Sequence, residues 1–257
     1  MFAETIEGWR DACDDVAAEI LSETGLSEGP VDAFALAAAM GLNVILDRTL
    51  LGRTRFRRIG ETPTIFLKPD RAEERQHWAL AKEIGERTIG RVLSRLGREE
   101  GDRVGGRMKE QIATELAGRL LLPGREFHAV LESADGDIHT IKDHFATASY
   151  ELILLALLRW PERSVVTVFE EGQSIRRFGN RGPAPKLSPV EHEVWDAVRR
   201  TGRSVERVED GLRVQGWSVG DGEDRREMLR TTEAARMPRQ LELIDMTPPA
   251  GRELVAA

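Results

Sequence analysis

Apolar positions recur at helical spacing from the start of the chain, with Ile6, Trp9, Cys13, Val16, Ile20 and Leu21 forming one stripe that stops at "TGLSEGP". The segment "VDAFALAAAMG" predicts a second helix closed by Gly41. Next come "LNVILD", "LLGRTRFRRIG" and "TPTIFLK", short apolar or β-rich runs separated by glycine and proline, which predict a sheet of about three strands. Helical periodicity resumes over residues 71–96 and, across the polar loop "GREEGDRVGG", over residues 108–122, where Pro123 stops it. Further helices are expected around residues 127–132 and 138–158, followed by "SVVTVFEEGQSIRRFG", whose centre "EEGQ" suits a hairpin turn. The stretch "NRGPAPKLSP" has linker composition. Beyond it the pattern predicts a helix over residues 189–200 and strands at "GLRVQGWSV", "EMLRTT" and "QLELIDM".

Composition narrows the class. A chain of 257 residues, 40% apolar and 32% charged, can bury a substantial core as one larger domain or two small ones. The net charge of -7 gives no global support for binding nucleic acid or a membrane surface. Cys13 is the only cysteine, which excludes an intramolecular disulfide and any cysteine-built zinc knuckle. The first twenty residues are acidic and helically patterned where a secretory signal would be basic and then continuously apolar. Apolar runs such as residues 152–158 fall far below the roughly 20 residues of a membrane helix. A cytoplasmic protein is expected.

Candidate chemistry concentrates in "LAKEIGERTIG", residues 80–90. Lys82 and Glu86 occupy the two positions that histidines hold in a zinc-protease H-E-x-x-H helix, one turn apart and on one face. Here the spacing survives and the ligands do not. An ammonium has no lone pair until it loses a proton, and with a reference pKa of about 10.4 Lys82 is a poor ligand near neutrality. Two readings of the pair follow: a solvated i,i+4 pair worth about 0.2–0.5 kcal/mol, or a salt bridge that fills a vacated metal pocket and holds two core helices in register.

The surroundings carry a resemblance. "ERQHWALAKEIGE", followed by "EQIATELAGRLLLP", resembles the ImmA/IrrE family of metallopeptidase-like proteins, in which A-H-E-[LI]-G-H precedes a helix reading E-x-x-A-N-x-F-A-x-x-L-L-M-P. Upstream "GPVDAFALAAAMGLNVIL" and downstream "IHTIKDHFATASYELILLALL" and "TVFEEGQSIRRFGN" are similar to further family elements in the same order, so the likeness spans residues 25–180. The resemblance implies that the two metal histidines fall on Lys82 and Glu86, the general base on Glu83, and the acidic third ligand on Glu110. Thr114 and Leu116 replace the Asn and Phe of the second motif. In an active member zinc would lower the pKa of its bound water towards 7 and the glutamate would take the proton. With both histidines replaced, Glu83 becomes a vestigial general base, and no metal or other cofactor is expected.

No other residues rebuild the site. His77 lies five residues before Lys82 and therefore points about 140 degrees away from it on a shared helix, and His139 and His144 are also five apart. Single histidines so placed read as surface or hydrogen-bonded core residues. A hard cation held by Glu83, Glu86 and Glu110 has the right oxygen chemistry, with Lys82 standing against it. Residues 138–159 have a helix-turn-helix outline, yet the second helix, "YELILLALLR", is apolar on nearly every side and suits packing better than a DNA groove. "RTRFRR" (Arg53 to Arg58) and the Arg176–Arg177 pair read as charged strand edges or as phosphate contacts.

The expected architecture is α+β: a mainly helical, zincin-like domain with a small antiparallel sheet over residues 1–125, a helix-turn-helix-like segment and hairpin packed on it over 126–182, and a small α/β extension over 183–257. The expected function is a catalytically inactive pseudo-peptidase that binds a protein partner, a transcriptional regulator by the family's implication, in stress or mobile-element regulation. Two alternatives stand beside it. One is an endopeptidase with an atypical metal site that cleaves a repressor; the other is a DNA-binding regulator.

Overall fold

A computed structural model describes residues 2–98, 104–220, 222 and 225–234. The expected strand "QLELIDM" and the middle of the "GREEGDRVGG" loop lie outside the described residues. Three apolar cores organise what is described.

The first core joins four helices and a sheet. Helix α1 (Phe2–Glu23) contributes Cys13, Val16, Ala17, Ile20 and Leu21, the stripe its sequence spacing implies. They pack among α2 (Ala33–Ala39), α3 (Glu73–Arg95) and α4 (Gly106–Leu121). Asp32 caps α2 by accepting from the amides of Phe34 and Ala35, and Gly41 closes it in the left-handed conformation, with φ of 71°. Helix α4 buries Ile112, Leu116 and Leu120 at four-residue intervals. Each such side chain contributes about 1.5–3 kcal/mol on leaving water.

Strands β1 (Asn43–Leu46), β2 (Thr54–Ile59) and β3 (Thr62–Leu67) lie in the order β1-β3-β2. β2 and β3 are antiparallel, as expected of a hairpin, but β1 runs parallel to β3, so the sheet is mixed. The order follows from burial. Ile65 and Leu67 of β3 face the core and hold that strand in the centre, whereas β2 alternates arginines and takes the outer edge, where Arg55, Arg57 and Arg58 are exposed. Charges there discourage a further strand from adding.

After Pro123 the chain turns directly into α5 (Gly124–Ser133), α6 (Ile138–His144) and α7 (Tyr150–Ala156), which ends in a single 3-10 turn, Leu157–Arg159. The helical span over 138–158 is two helices, as its helix-turn-helix outline implies, and the "TAS" turn supplies Ser149 as a cap that accepts from Leu152 N. Helices α5, α6 and α7 cover one face of a five-stranded antiparallel sheet, ordered β5-β4-β8-β7-β6 and built from β4 (Ser164–Glu170), β5 (Gln173–Gly179), β6 (Val205–Glu209), β7 (Leu212–Val219) and β8 (Arg226–Glu233). Helix α8 (Pro189–Thr201) covers the other face through Val190, Val194 and Val198. Residues on both sides of position 182 therefore share one sheet.

Two hairpins of this sheet, β4–β5 and β6–β7, turn through two consecutive residues of positive φ, Glu171–Gly172 and Asp210–Gly211, the geometry that matches strand twist in a two-residue loop. Burial on two sides explains the apolar runs in β4, β7 and β8. Met228 faces the α7 side and Leu229 the α8 side. Gly216 is required where α8 crosses β7: a Cβ there would stand 2.8 Å from side-chain carbons of Val194, Val198 and Leu229. Among the described residues no helix is long and apolar enough to cross a membrane.

Candidate functional site

Two helices meet where the sequence places its chemistry. Helices α3 and α4 approach so closely at Gly85 that an added Cβ would lie 2.6 Å from the Ala113 carbonyl oxygen. Glycine is thus demanded by backbone contact, and the approach sets the middle of α4 against the middle of α3.

Lys82 Nζ donates to Glu110 Oε1 at 3.2 Å, linking the two helices. The ion pair expected within α3, Lys82 with Glu86, does not form. The lysine reaches across to α4, because the Gly85 contact puts that helix within range. The Lys82 side chain is 30% exposed and that of Glu110 69%. At such exposure a lone pair contributes up to about 1 kcal/mol.

Glu83 is the buried member of the group, at 5% exposure. Its Oε1 lies 3.2 Å from Nη2 of Arg87, one turn on, but at an angle that makes no hydrogen bond. The Arg87 guanidinium in turn stacks over Phe56 of β2, 4.2 Å from the ring centroid, so the carboxylate's neighbour is itself pinned to the sheet. Glu86 is exposed, yet its pKa is pushed up by partial burial and then by the carboxylates of Glu83 and Glu110, against the opposing pull of Lys82 and Arg87. All four sequence-selected residues therefore lie within electrostatic reach of one another. Arg87 was not selected; its i,i+4 spacing from Glu83 was the available signal.

These groups do not fit a zinc ion. Lys82 presents an ammonium already bonded to the Glu110 carboxylate, and the buried Glu83 carboxylate is turned to the Arg87 guanidinium. Among the described residues no three His, Cys, Asp or Glu side chains are grouped as they would be around a metal ion.

His77, His139 and His144 are each engaged by a neighbour. His77 is buried, accepts from Ala33 N through Nδ1 at 3.3 Å, and meets the Phe34 ring edge-on. His139 Nδ1 lies 3.0 Å from the Tyr150 hydroxyl, and His144 Nε2 lies 2.7 Å from Glu126. Helix α7 buries Ile153, Leu154 and Ala156, so it is a packing element. Arg176 is bound by Glu151, and Arg177 by Glu191, Thr167 and the Pro185 carbonyl, which leaves neither free as a phosphate contact.

Residues 37–157 match the family model described as the IrrE N-terminal-like domain. The chain is similar in structure to a Mycobacterium tuberculosis transcriptional regulator, with a TM-score of 0.65 and 19% identity over 88% of this chain and 79% of that one. At that identity the likeness establishes a shared fold. No match was found among curated proteins.

Proposed function

We propose that this chain, which carries an IrrE N-terminal-like domain over residues 37–157, is a regulatory protein-binding module that has kept the metallopeptidase-like scaffold and given up hydrolysis. One observation carries the reading. The Lys82–Glu110 ion pair joins the two helices at positions where the family resemblance puts a metal histidine and an acidic ligand. In this reading Lys82 and Glu86 are former ligand positions, Glu110 is the former acidic ligand, and Glu83 is a vestigial base. Water has no metal to acidify it there, and Glu83, paired with Arg87, has no nucleophile to serve.

The regulatory part of the proposal draws on the structural likeness to a transcriptional regulator and on the family's implied action on repressors. The module would hold a protein partner, with a transcriptional regulator as the favoured class, in the old substrate groove without cutting it. A cytoplasmic setting follows from the same reading.

Elemental analysis tests the proposal directly. Natively purified protein is expected to carry less than about one tenth of an equivalent of zinc, against the tight stoichiometric binding of intact structural sites. Near-stoichiometric zinc, or metal-stimulated cleavage of a repressor, would reverse the reading in favour of an endopeptidase. The double variant Lys82→His, Glu86→His is expected to gain zinc binding, because Glu110 already reaches position 82. A folded double variant that takes up no zinc would show that the α4 ligand position has been misassigned.

A further inference from the structure

The first core and the second meet along a seam. Leu152 of α7 packs against both, and next to it the two cores fail to close. The gap is a cavity of 480 Å³, partly open to solvent, within the roughly 300–1,000 Å³ range of small-molecule sites. Trp78 of α3 forms one wall, Tyr150, Leu152 and Leu155 of α7 a second, and Met228 of β8 a third. Its body is apolar and aromatic, and it lies apart from the Lys82–Glu110 pair.

Charge at the rim decides what the cavity would accept. Glu74 is satisfied by Lys142 at 3.0 Å. Glu151 is held by Arg176, and Arg226 by Glu170 at 2.6 Å. Arg75 differs. Its ion-pair partner among the described residues is Asp70 at 3.9 Å, beyond hydrogen-bond distance, and Asp70 is already engaged by Arg53. The mouth therefore offers guanidinium donors without a committed acceptor, and an incoming anion would meet them without displacing a bonded carboxylate.

We infer that this cavity is a binding site for a compact apolar carboxylate, its aromatic or branched body between Trp78, Leu155 and Met228 and its carboxylate on Arg75. Trp78 stands one turn before Lys82 on α3, so an occupant would press on the helix that carries the candidate site. The binding claim holds whether or not the pseudo-peptidase reading does.

A matched series of probes isolates each part: phenylbutyrate, phenylbutanol and phenylbutylamine share a body and differ in head charge. Titration calorimetry on the full chain is expected to show one site, with the acid binding about tenfold more tightly than the alcohol and the amine weakest, the size of one charge-assisted hydrogen bond. Arg75→Ala should erase the acid's advantage over the alcohol and leave the alcohol unchanged. Leu155→Trp and Met228→Trp, which fill the cavity from opposite walls, should each weaken all three probes at least about tenfold. If one filling variant fails to fold, the other and the surface variant at Arg75 still decide. The inference is overturned if the native chain binds none of the probes, if the amine equals or exceeds the acid, or if a folded filling variant binds as the native chain does.

Discussion

Glu86 shows how one residue's behaviour depends on neighbours that spacing alone does not reveal. Its carboxyl sits above its ordinary pKa of 4.5, with partial burial as the largest cause and the carboxylates of Glu83 and Glu110 adding to it. A carboxyl raised in the folded state disfavours folding wherever it is ionised. The unfolded chain ionises first as pH rises through 4.5, so the destabilisation appears above that value and is absent below it. Glu86→Gln is therefore expected to raise stability by about 0.5 kcal/mol at neutral pH, kept small by solvent screening at this exposed site. The gain should vanish in acid, and paired urea unfolding curves at the two pH values would detect it. Equal gains in both would mean that Gln helps through helix propensity and not through charge. The sequence supplied Lys82 and Glu86 as neighbours on one helix face, together with Glu83 and Glu110 by motif resemblance. It did not supply the pairing, because whether Lys82 turns along its own helix or across to α4 depends on how closely the helices approach.

That approach is a property of elements. In an isolated helix an alanine in place of Gly85 would gain about 1 kcal/mol through propensity. Here its Cβ would meet the Ala113 carbonyl at 2.6 Å, and the neighbouring atoms are backbone that cannot rotate away. Gly85→Ala is expected to cost about 1–3 kcal/mol net by forcing α3 and α4 apart, and to lengthen the Lys82–Glu110 contact as it does so. A lowered thermal midpoint in calorimetry would register it; a raised one would show that propensity outweighs the contact. The helices and most strands were legible because their apolar positions repeat with the periods of buried faces. β6 was not. Its sequence "VERVE" is exposed at nearly every position on the sheet edge, so no apolar alternation marks it, and only the "DG" turn that follows could have signalled the β6–β7 hairpin. The pairing of β4 with β8, which ties the expected hairpin to the C-terminal strands, was equally hidden, since register between strands sixty residues apart leaves no local trace.

At the scale of the molecule the question is whether two cores with a cavity between them unfold as one. Contacts across the seam argue that they do. Helix α4 passes into α5 with Pro123 between them, Thr147 donates to the Val31 carbonyl at 2.9 Å, Lys142 binds Glu74, and Leu152 belongs to both cores. Each core also carries its own reporter. Cys13 is fully buried in the first, and burial pushes its thiol up to about 12 against the pull of Arg119, so the native protein should resist thiol reagents until that core opens. Trp217 is buried in the second, its indole N–H donating to Asp137 at 2.8 Å, and its fluorescence reports that core. In urea the onset of Cys13 labelling and the Trp217 transition, read in a variant whose other tryptophans are phenylalanine, are expected to coincide. Leu152→Ala removes the side chain the cores share, at a cost of about 2 kcal/mol, and should separate the two transitions, with Trp217 shifting and Cys13 labelling lagging or leading it. Coincident transitions in that variant would mean that the polar contacts at Thr147 and Lys142 suffice to couple the cores, and an occupant of the cavity would then have little leverage between them.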